Sequence, residues 1–342
     1  MTRGFGIIGA GIIAAIHADA IALLPDARLV AVTDVAPGAA GAFAAARGCA
    51  AEPGIDDLLA RRDVDVVCVC VPSGQHAEVG VRAAKAGKHL VIEKPVDVTL
   101  EAADRLLAAA REAGVALTVM SQHRFDPGVI AAKRLIDDGA LGTLMLGEAS
   151  TKWYRTQEYY DSAPWRGTWA LDGGALLNQG IHYVDLLLWC MGPVTEVIAV
   201  CTTQTHRIEV EDTALAIVRF ASGAVGTIGA TTAAYPGFPQ RLEITGTQGT
   251  VTVEDGTLMR TVLRDAAGTA GQGKPPGEAP SAAADPGGLD AAVHAAQLAD
   301  LLAAVGEGRE PAVSGQDGRD ALEVVRAVYE SSRAGRPVRL RP

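Results

Sequence analysis

Two side chains in this sequence suit proton transfer at a hydroxyl oxygen, an amine and an imidazole, and each stands in a distinctive setting. Glu93-Lys94-Pro95 follows the apolar run His89-Leu90-Val91-Ile92. A strand there would deliver Lys94 to the carboxyl end of a parallel sheet, where doubly wound folds bind their ligands. Taken alone, the same residues fit a surface ion pair closing a strand about equally well. Asp172-Gly173-Gly174 opens a second run that carries Asn178, His182 and Asp185. Spacings of four and three place these on one face of a helix. A histidine held by a polar neighbour can act as acid or base near neutral pH, although a lone helical histidine is more often a core residue. No second His or Cys stands at ligand spacing, so no metal site is expected.

The third motif binds rather than reacts. Gly9-Ala10-Gly11-Ile12-Ile13-Ala14 is G-x-G-x-x-A, set between a strand and a helix, with a second strand ending in Asp34. Gly9 permits the tight turn, Gly11 lets the backbone approach a diphosphate, and Ala14 lets helix and strand close together. The free N–H groups of the helix start favour the anion. Asp34 can accept both ribose hydroxyls and would repel a 2′-phosphate. Val35-Ala36-Pro37-Gly38 supplies no cation to offset that, so NAD is expected over NADP.

These motifs need a frame, and the apolar pattern supplies one. Strand-length runs at 5–8, 29–33, 66–71, 90–92 and 116–120 alternate with alanine-rich helical stretches, including 75–86 and 100–113. Near-continuous apolar strands between helices mean an α/β fold with a parallel sheet covered on both faces. After about residue 122 the pattern changes. A helix is expected over 127–137, a strand over 144–151, an aromatic-rich stretch from Trp153 to Trp169, and a helix over 175–190. From 195 to 262, turn signals separate strands that read as an antiparallel meander. Residues 265–288 are rich in Gly, Ala and Pro and read as a mobile loop, and two helices near 289–305 and 318–334 close the chain. The domain division expected is 1–122 and 123–342, with the closing helices able to pack back on the first domain.

Composition narrows the function classes. The chain has 342 residues, 49% hydrophobic and 20% charged, so it can bury a large core. Its net charge of −10 opposes a nucleic-acid or anionic-membrane partner. Five scattered cysteines make no disulfide framework, and Cys68 and Cys70 read as small hydrophobes of a buried strand. With no room for a signal peptide before Phe5 and no apolar run of membrane-spanning length, a cytoplasmic protein is expected.

The three motifs in this order resemble the Gfo/Idh/MocA family, named for glucose–fructose oxidoreductase and inositol dehydrogenase. The resemblance runs through nearly the whole chain. It includes Val71-Pro72-Ser73 with His76, Trp165-Arg166, Gly246-Thr247-Gln248-Gly249-Thr250 and Gly318-Arg319-Asp320-Ala321-Leu322-Glu323. It implies an N-terminal Rossmann domain and a C-terminal α+β domain on a large open, mostly antiparallel sheet whose free face makes a homodimer or homotetramer. It also implies that Val71, Pro72, Ser73, His76, Glu93, Trp165 and Arg166 line the cofactor, with Lys94 and His182 as the proton-handling pair. The family motif commonly has Asp where this chain has Asn178, which shifts acid–base work toward Lys94 and His182.

The reaction expected is hydride transfer between NAD and a ring hydroxyl or ketone of a sugar, sugar derivative or cyclitol. The cofactor carries the hydride, and the protein moves the proton. A lysine beside the positively charged nicotinamide is easier to deprotonate than a free one. Arg124, Tyr154, Tyr159, Tyr160, Trp169 and Asp185 are candidates for the substrate wall, because aromatic faces with polar edges suit a sugar ring. Packing or a subunit interface accounts for those aromatics about as well. Two other uses of the fold stay open: a redox-assisted glycosidase, and a non-catalytic sensor of sugar or cofactor.

Overall fold

The computed structural model describes residues 2–264 and 290–341. The mobile loop expected over 265–288 lies outside them. Contacts divide the chain into two units, residues 1–122 with 289–319 and residues 123–288 with 320–342.

The first unit is a Rossmann fold. In chain order it runs β1 (Arg3–Ile8), α1 (Ile12–Ala22), β2 (Ala27–Thr33), α2 (Ala39–Arg47), β3 (Ala50–Ala51), α3 (Ile55–Ala60), β4 (Val66–Val69), α4 (His76–Lys85), β5 (His89–Ile92), α5 (Leu100–Ala113) and β6 (Leu117–Val119). The six strands are parallel, in the order β3-β2-β1-β4-β5-β6. The strand order reverses between β1 and β4, so their carboxyl ends form the switch point of a doubly wound sheet. Residues of high β propensity make the central strands, and Gly48 and Gly114 stop α2 and α5 in left-handed conformations. Thr99 caps α5, its hydroxyl accepting from the Ala102 N–H at 3.3 Å. Phe5, Ile7, Ala14, Ala18, Ile21, Val66, Cys68, Val91 and Met120 share one core.

A late segment completes that core. Helix α9 (Ala291–Glu307) begins after the first 290 residues, yet Ala295, Leu298 and Leu301 belong to the same cluster. Its Gln297 satisfies the edge of β6. The Gln297 Nε2 group donates to Val119 O and to Thr118 Oγ1, each at 2.8 Å, and its Oε1 accepts from the Ser121 N–H at 3.0 Å. Val119 O is a carbonyl of the edge strand that no further strand pairs.

The second unit contains α6 (Pro127–Asp137), β7 (Leu144–Lys152), α7 (Gln157–Asp161), a π-helical turn (Ala175–Gly180), α8 (Ile181–Met191), β8 (Val194–Thr202), β9 (Thr213–Phe220), β10 (Val225–Thr231), β11 (Arg241–Gly246), β12 (Gly249–Glu254) and β13 (Thr257–Leu263). The chain closes with α9 (Ala291–Glu307), α10 (Gly315–Ala334) and β14 (Val338–Arg339). The eight-stranded sheet has the order β13-β12-β11-β7-β10-β9-β8-β14. It corrects the expected meander over 195–262. Strand β7 inserts between β10 and β11, parallel to the first and antiparallel to the second. The sheet is therefore mostly, not wholly, antiparallel. Helix α8 packs on this sheet, and Gly147 of β7 lets it close. A Cβ there would sit 2.8 Å from Leu187 Cδ1 and from Met191 Cγ.

The helix expected over 175–190 is also revised. Six residues of π-helix precede α8, so the rows of neighbouring side chains change at Gly180.

Candidate active site

In the first unit the candidate residues gather at the carboxyl ends of β1, β2, β4 and β5. Gly9 has φ +97°, and a Cβ on it would lie 2.5 Å from Cys70 O, so only glycine makes this turn. Gly11 heads α1 with open space around it; a Cβ there would meet nothing within 4 Å. No side chain caps that helix start. Ile12 is exposed, Ile13 half-buried and Ala14 buried against β1. Open space, uncapped N–H groups and the helix dipole fit a diphosphate.

Asp34 closes the loop from β2. Its Oδ2 accepts from the Ala10 N–H and its Oδ1 from the Ala36 N–H, each at 2.6 Å. The carboxylate thus ties down the glycine turn while keeping lone pairs for further donors. Val71 and Pro72 lead into a short 3₁₀ turn, Ser73–Gln75, with Ser73 buried. The buried His76 ring lies 2.9 Å from Val71 O through Nε2 and 2.7 Å from Pro95 O through Nδ1. Burial lowers its pKa, against the raising effect of those two carbonyls. It ties the loop after β4 to the Lys94-Pro95 segment, whose peptide bond is cis.

Glu93 and Lys94 stand where β5 ends. Glu93 is buried, and its Oε2 accepts from the Lys94 N–H at 3.1 Å. Burial pushes the carboxyl up, but the hydrogen bond and charge of His17, with His294 and Lys94, outweigh it and bring the pKa to about 2. Sequence reasoning missed His17. It is the one ionisable side chain buried in α1, which is otherwise almost entirely Ile and Ala, and that contrast was the available signal.

In the second unit, His182 is buried on α8 with its ring edge-on to His123 at 5.1 Å between centroids. His123 Nδ1 lies 2.7 Å from Asp126 Oδ2. Asp185, three residues on from His182, forms a two-pronged pair with Arg124. Nε donates to Oδ2 at 2.8 Å and Nη2 to Oδ1 at 2.6 Å. Asn178 lies in the π-helical turn, where its amide donates to Asp172 Oδ1. The other Asp172 oxygen accepts from the Gly167 N–H at 2.7 Å. The expected shared face therefore holds between His182 and Asp185 on α8, but the 3.6-residue spacing does not extend to Asn178 in the π turn. Asp172 stood at the head of the glycine motif in the sequence without a role assigned to it.

The aromatic stretch stacks on cations. The Arg166 guanidinium lies 4.5 Å over the Trp165 ring and 4.3 Å over Tyr159, and Arg166 Nη1 donates to the Tyr159 hydroxyl at 2.7 Å. Tyr154 meets Tyr235 edge-on at 5.2 Å. Trp169 packs edge-on to Tyr329 at 5.0 Å, with Arg333 4.7 Å above it. The π turn itself hangs on Glu211, a second residue that sequence reasoning missed. Its Oε1 accepts from the Leu176 N–H and from the Tyr329 hydroxyl, each at 2.9 Å. No metal-binding cluster of His, Cys, Asp or Glu occurs among the described residues.

Burial pushes the Glu211 carboxyl up to about 7, against the lowering effect of the Leu176 and Tyr329 hydrogen bonds. A folded pKa above the unfolded one means stability that is full at low pH and lost as pH rises through the folded value. Urea unfolding should therefore lose up to about 3 kcal/mol between roughly pH 4.5 and pH 7.5, because a proton held only by the folded chain is worth about 1.4 kcal/mol for each pH step between the two values. Glu211→Gln keeps the shape and has no proton to lose, so its pH curve should lack that component. Parallel curves for the two proteins would refute the assignment.

Comparison with known proteins fits this geometry. Residues 3–121 match the domain described as "Oxidoreductase family, NAD-binding Rossmann fold", and residues 129–252 match the "GFO/IDH/MocA C-terminal domain". The inositol 2-dehydrogenase of Rhizobium meliloti is 32% identical over 97% of each chain. The chain belongs to the Gfo/Idh/MocA oxidoreductase family. The D-apiose dehydrogenase of Paraburkholderia graminis is 28% identical over 83% of this chain and 75% of that one. The crystal structure of the WlbA dehydrogenase from Bordetella pertussis, in complex with NADH and UDP-GlcNAcA, matches with TM-score 0.89 and 33% identity over the whole of both chains. As a member of this family, the chain is an oxidoreductase with an NAD-binding Rossmann domain and a mostly antiparallel C-terminal sheet. No helix among the described residues is long and apolar enough to cross a membrane.

Proposed function

We propose that this oxidoreductase exchanges a hydride between NAD and a ring hydroxyl or ketone of a sugar, sugar derivative or cyclitol, with Lys94 and His182 handling the proton. The observation that carries this reading is the placement of Glu93-Lys94 at the carboxyl end of β5, in the same sheet whose β1 ends in the Gly9 turn. The names of the relatives supply the substrate class.

NAD, when bound, supplies the hydride acceptor at C4 of its nicotinamide. The loop residues Gly9, Gly11, Ile12 and Ile13 would hold its diphosphate, and Asp34 its adenosine ribose. Val71, Pro72, Ser73, His76, Glu93, Trp165 and Arg166 would line the remainder. Oxidation removes a hydride from the carbinol carbon and a proton from its oxygen, so the protein must take one proton per turnover. The Lys94 amine and the His182 imidazole are the groups assigned to it. Asn178, tied to Asp172, is assigned to hold the substrate or His182 by hydrogen bonding, with Arg124, Tyr154, Trp169 and Asp185 in the wall.

Residues 1–122 form the dinucleotide-binding domain in this reading, with α9 packed back on it, and the rest of 123–342 the substrate and oligomerisation domain. The protein works in the cytoplasm as a homodimer or homotetramer. Ile198 faces Ile217, and Val200 faces Leu215, across β8 and β9. All four are exposed, Val200 by 68%, which leaves an apolar patch for a second copy to cover.

The test mixes the protein with NAD and, separately, myo-inositol, D-apiose and UDP-GlcNAcA, following absorbance of reduced nicotinamide. Growth of the band supports the proposal. Cleavage of a glycoside without net growth marks the redox-assisted reading, and binding with neither marks a sensor. NAD should bind more tightly than NADP, with the preference reduced in Asp34→Ala; NADP binding as tight as NAD would sink the role given to Asp34.

A further inference from the structure

Helix α1 carries one polar side chain into the core of the first unit. His17 is fully buried, and its Nε2 lies 2.7 Å from Glu93 Oε1. The other carboxylate oxygen of Glu93 accepts from the Lys94 N–H. The carboxylate is thus clamped between a ring on α1 and the backbone of Lys94. Cys68 and Cys70 of β4 and the loop after it lie beside the His17 ring, and His294 of α9 meets it edge-on at 5.7 Å.

We propose that His17 is a positioning residue for the reaction: through Glu93 it fixes the backbone that presents Lys94. The proposal rests on the assignment of Lys94 made above and adds a residue that touches neither cofactor nor substrate.

The physical case starts from burial. A carboxylate out of water is costly unless it is paired and hydrogen-bonded. His17 supplies the pairing, and the Lys94 N–H takes up the second oxygen. Burial works against a charged His17 ring. Cys70 and Cys68, together with the Glu93 carboxylate in hydrogen-bond contact, work for it, and its pKa stands well above the ordinary imidazole range. A charged donor on a rigid helix holds a carboxylate more firmly than water could. The same helix starts at Gly11, so one rigid element sets both the glycine turn and the end of β5. Removing His17 leaves Glu93 buried without its donor. It must then protonate, which weakens the bond from the Lys94 N–H, or swing toward water, which breaks it. Displacing a reacting group by about an ångström can cost roughly 100-fold in rate.

The test compares the full-length native chain with His17→Leu and His17→Gln, each saturated with NADH for hydrogen exchange. Kinetics use whichever of the three panel compounds the native chain oxidises fastest. The Gln amide nitrogen can reach Glu93 from the place of Nε2. In His17→Leu, exchange at the Lys94 amide should accelerate at least tenfold. The same variant should lose roughly 10- to 100-fold in kcat, with KM within threefold. His17→Gln should keep both values within about threefold of native. A folded, NADH-binding His17→Leu with native kcat or native exchange at Lys94 overturns the proposal. So does a His17→Gln that loses as much as His17→Leu. If His17→Leu does not fold, His17→Asn, whose shorter amide cannot span the distance, replaces it with the same expectations. Native turnover in Lys94→Ala would instead overturn the role given to Lys94, and the exchange data would still report on the His17–Glu93 clamp.

Discussion

Alanine at Lys94 or at His182 is expected to lower kcat by roughly two to four orders of magnitude, the usual worth of a positioned acid or base. The two variants should differ in binding. His182 belongs to the second unit, on α8, and the diphosphate and ribose contacts are assigned to residues of the first, so His182→Ala should bind NADH as the native protein does. Lys94 follows Glu93 at the end of β5, and its loss should also weaken NADH binding. Steady-state rates with the best panel compound and nicotinamide fluorescence titrations separate the two effects. His182→Ala with near-native turnover would reduce His182 to a core ring packed on His123.

The largest stability effect is expected at Arg124. The Arg124 and Asp185 side chains are 6% and 2% exposed and joined by two hydrogen bonds. Truncating one partner of a buried ion pair strands the other, at a cost of about 3–5 kcal/mol. Arg124→Ala should therefore lower the urea midpoint sharply. The double replacement Arg124→Met with Asp185→Leu should recover most of the loss, because no charge is then left stranded. An Arg124→Ala protein with native stability would refute the anchoring role given to the pair.

The Rossmann half was legible because its signals are local. Apolar runs punctuated by glycine give β1, β4 and β5 directly, and α5 has the bounds its pattern suggests. The Gly9 turn has the positive φ that its place in the fingerprint requires. What could not be read depends on partners distant in sequence. Nothing local in Leu144–Lys152 says that it will lie between β10 and β11. Arg124 and Asp185 are each candidates for the substrate wall in the sequence, and only a contact across 61 residues shows that they pair with each other. The π turn was hidden for another reason. A six-residue change of helical pitch leaves the apolar pattern almost unchanged, while a buried glutamate 35 residues away hydrogen-bonds the N–H of Leu176. His17 is a single histidine in an apolar helix, and its contact with Glu93 is visible only once α1 lies on the sheet.

The late arrival of α9 in the core of the first unit bears on how the chain is made. A ribosome adding about 5–20 residues per second needs roughly 10–40 s to pass from the end of β6 to Leu301. Throughout that interval the nascent Rossmann sheet has all six of its strands but not Ala295, Leu298 and Leu301, which complete its core, nor Gln297, which satisfies the edge of β6. The apolar side of α1 therefore waits on residues translated after the whole of the eight-stranded sheet except its last edge strand. The first part of the protein to be synthesised is thus among the last to be finished, and a holdase that shields α1 would have its longest period of use on this half of the molecule.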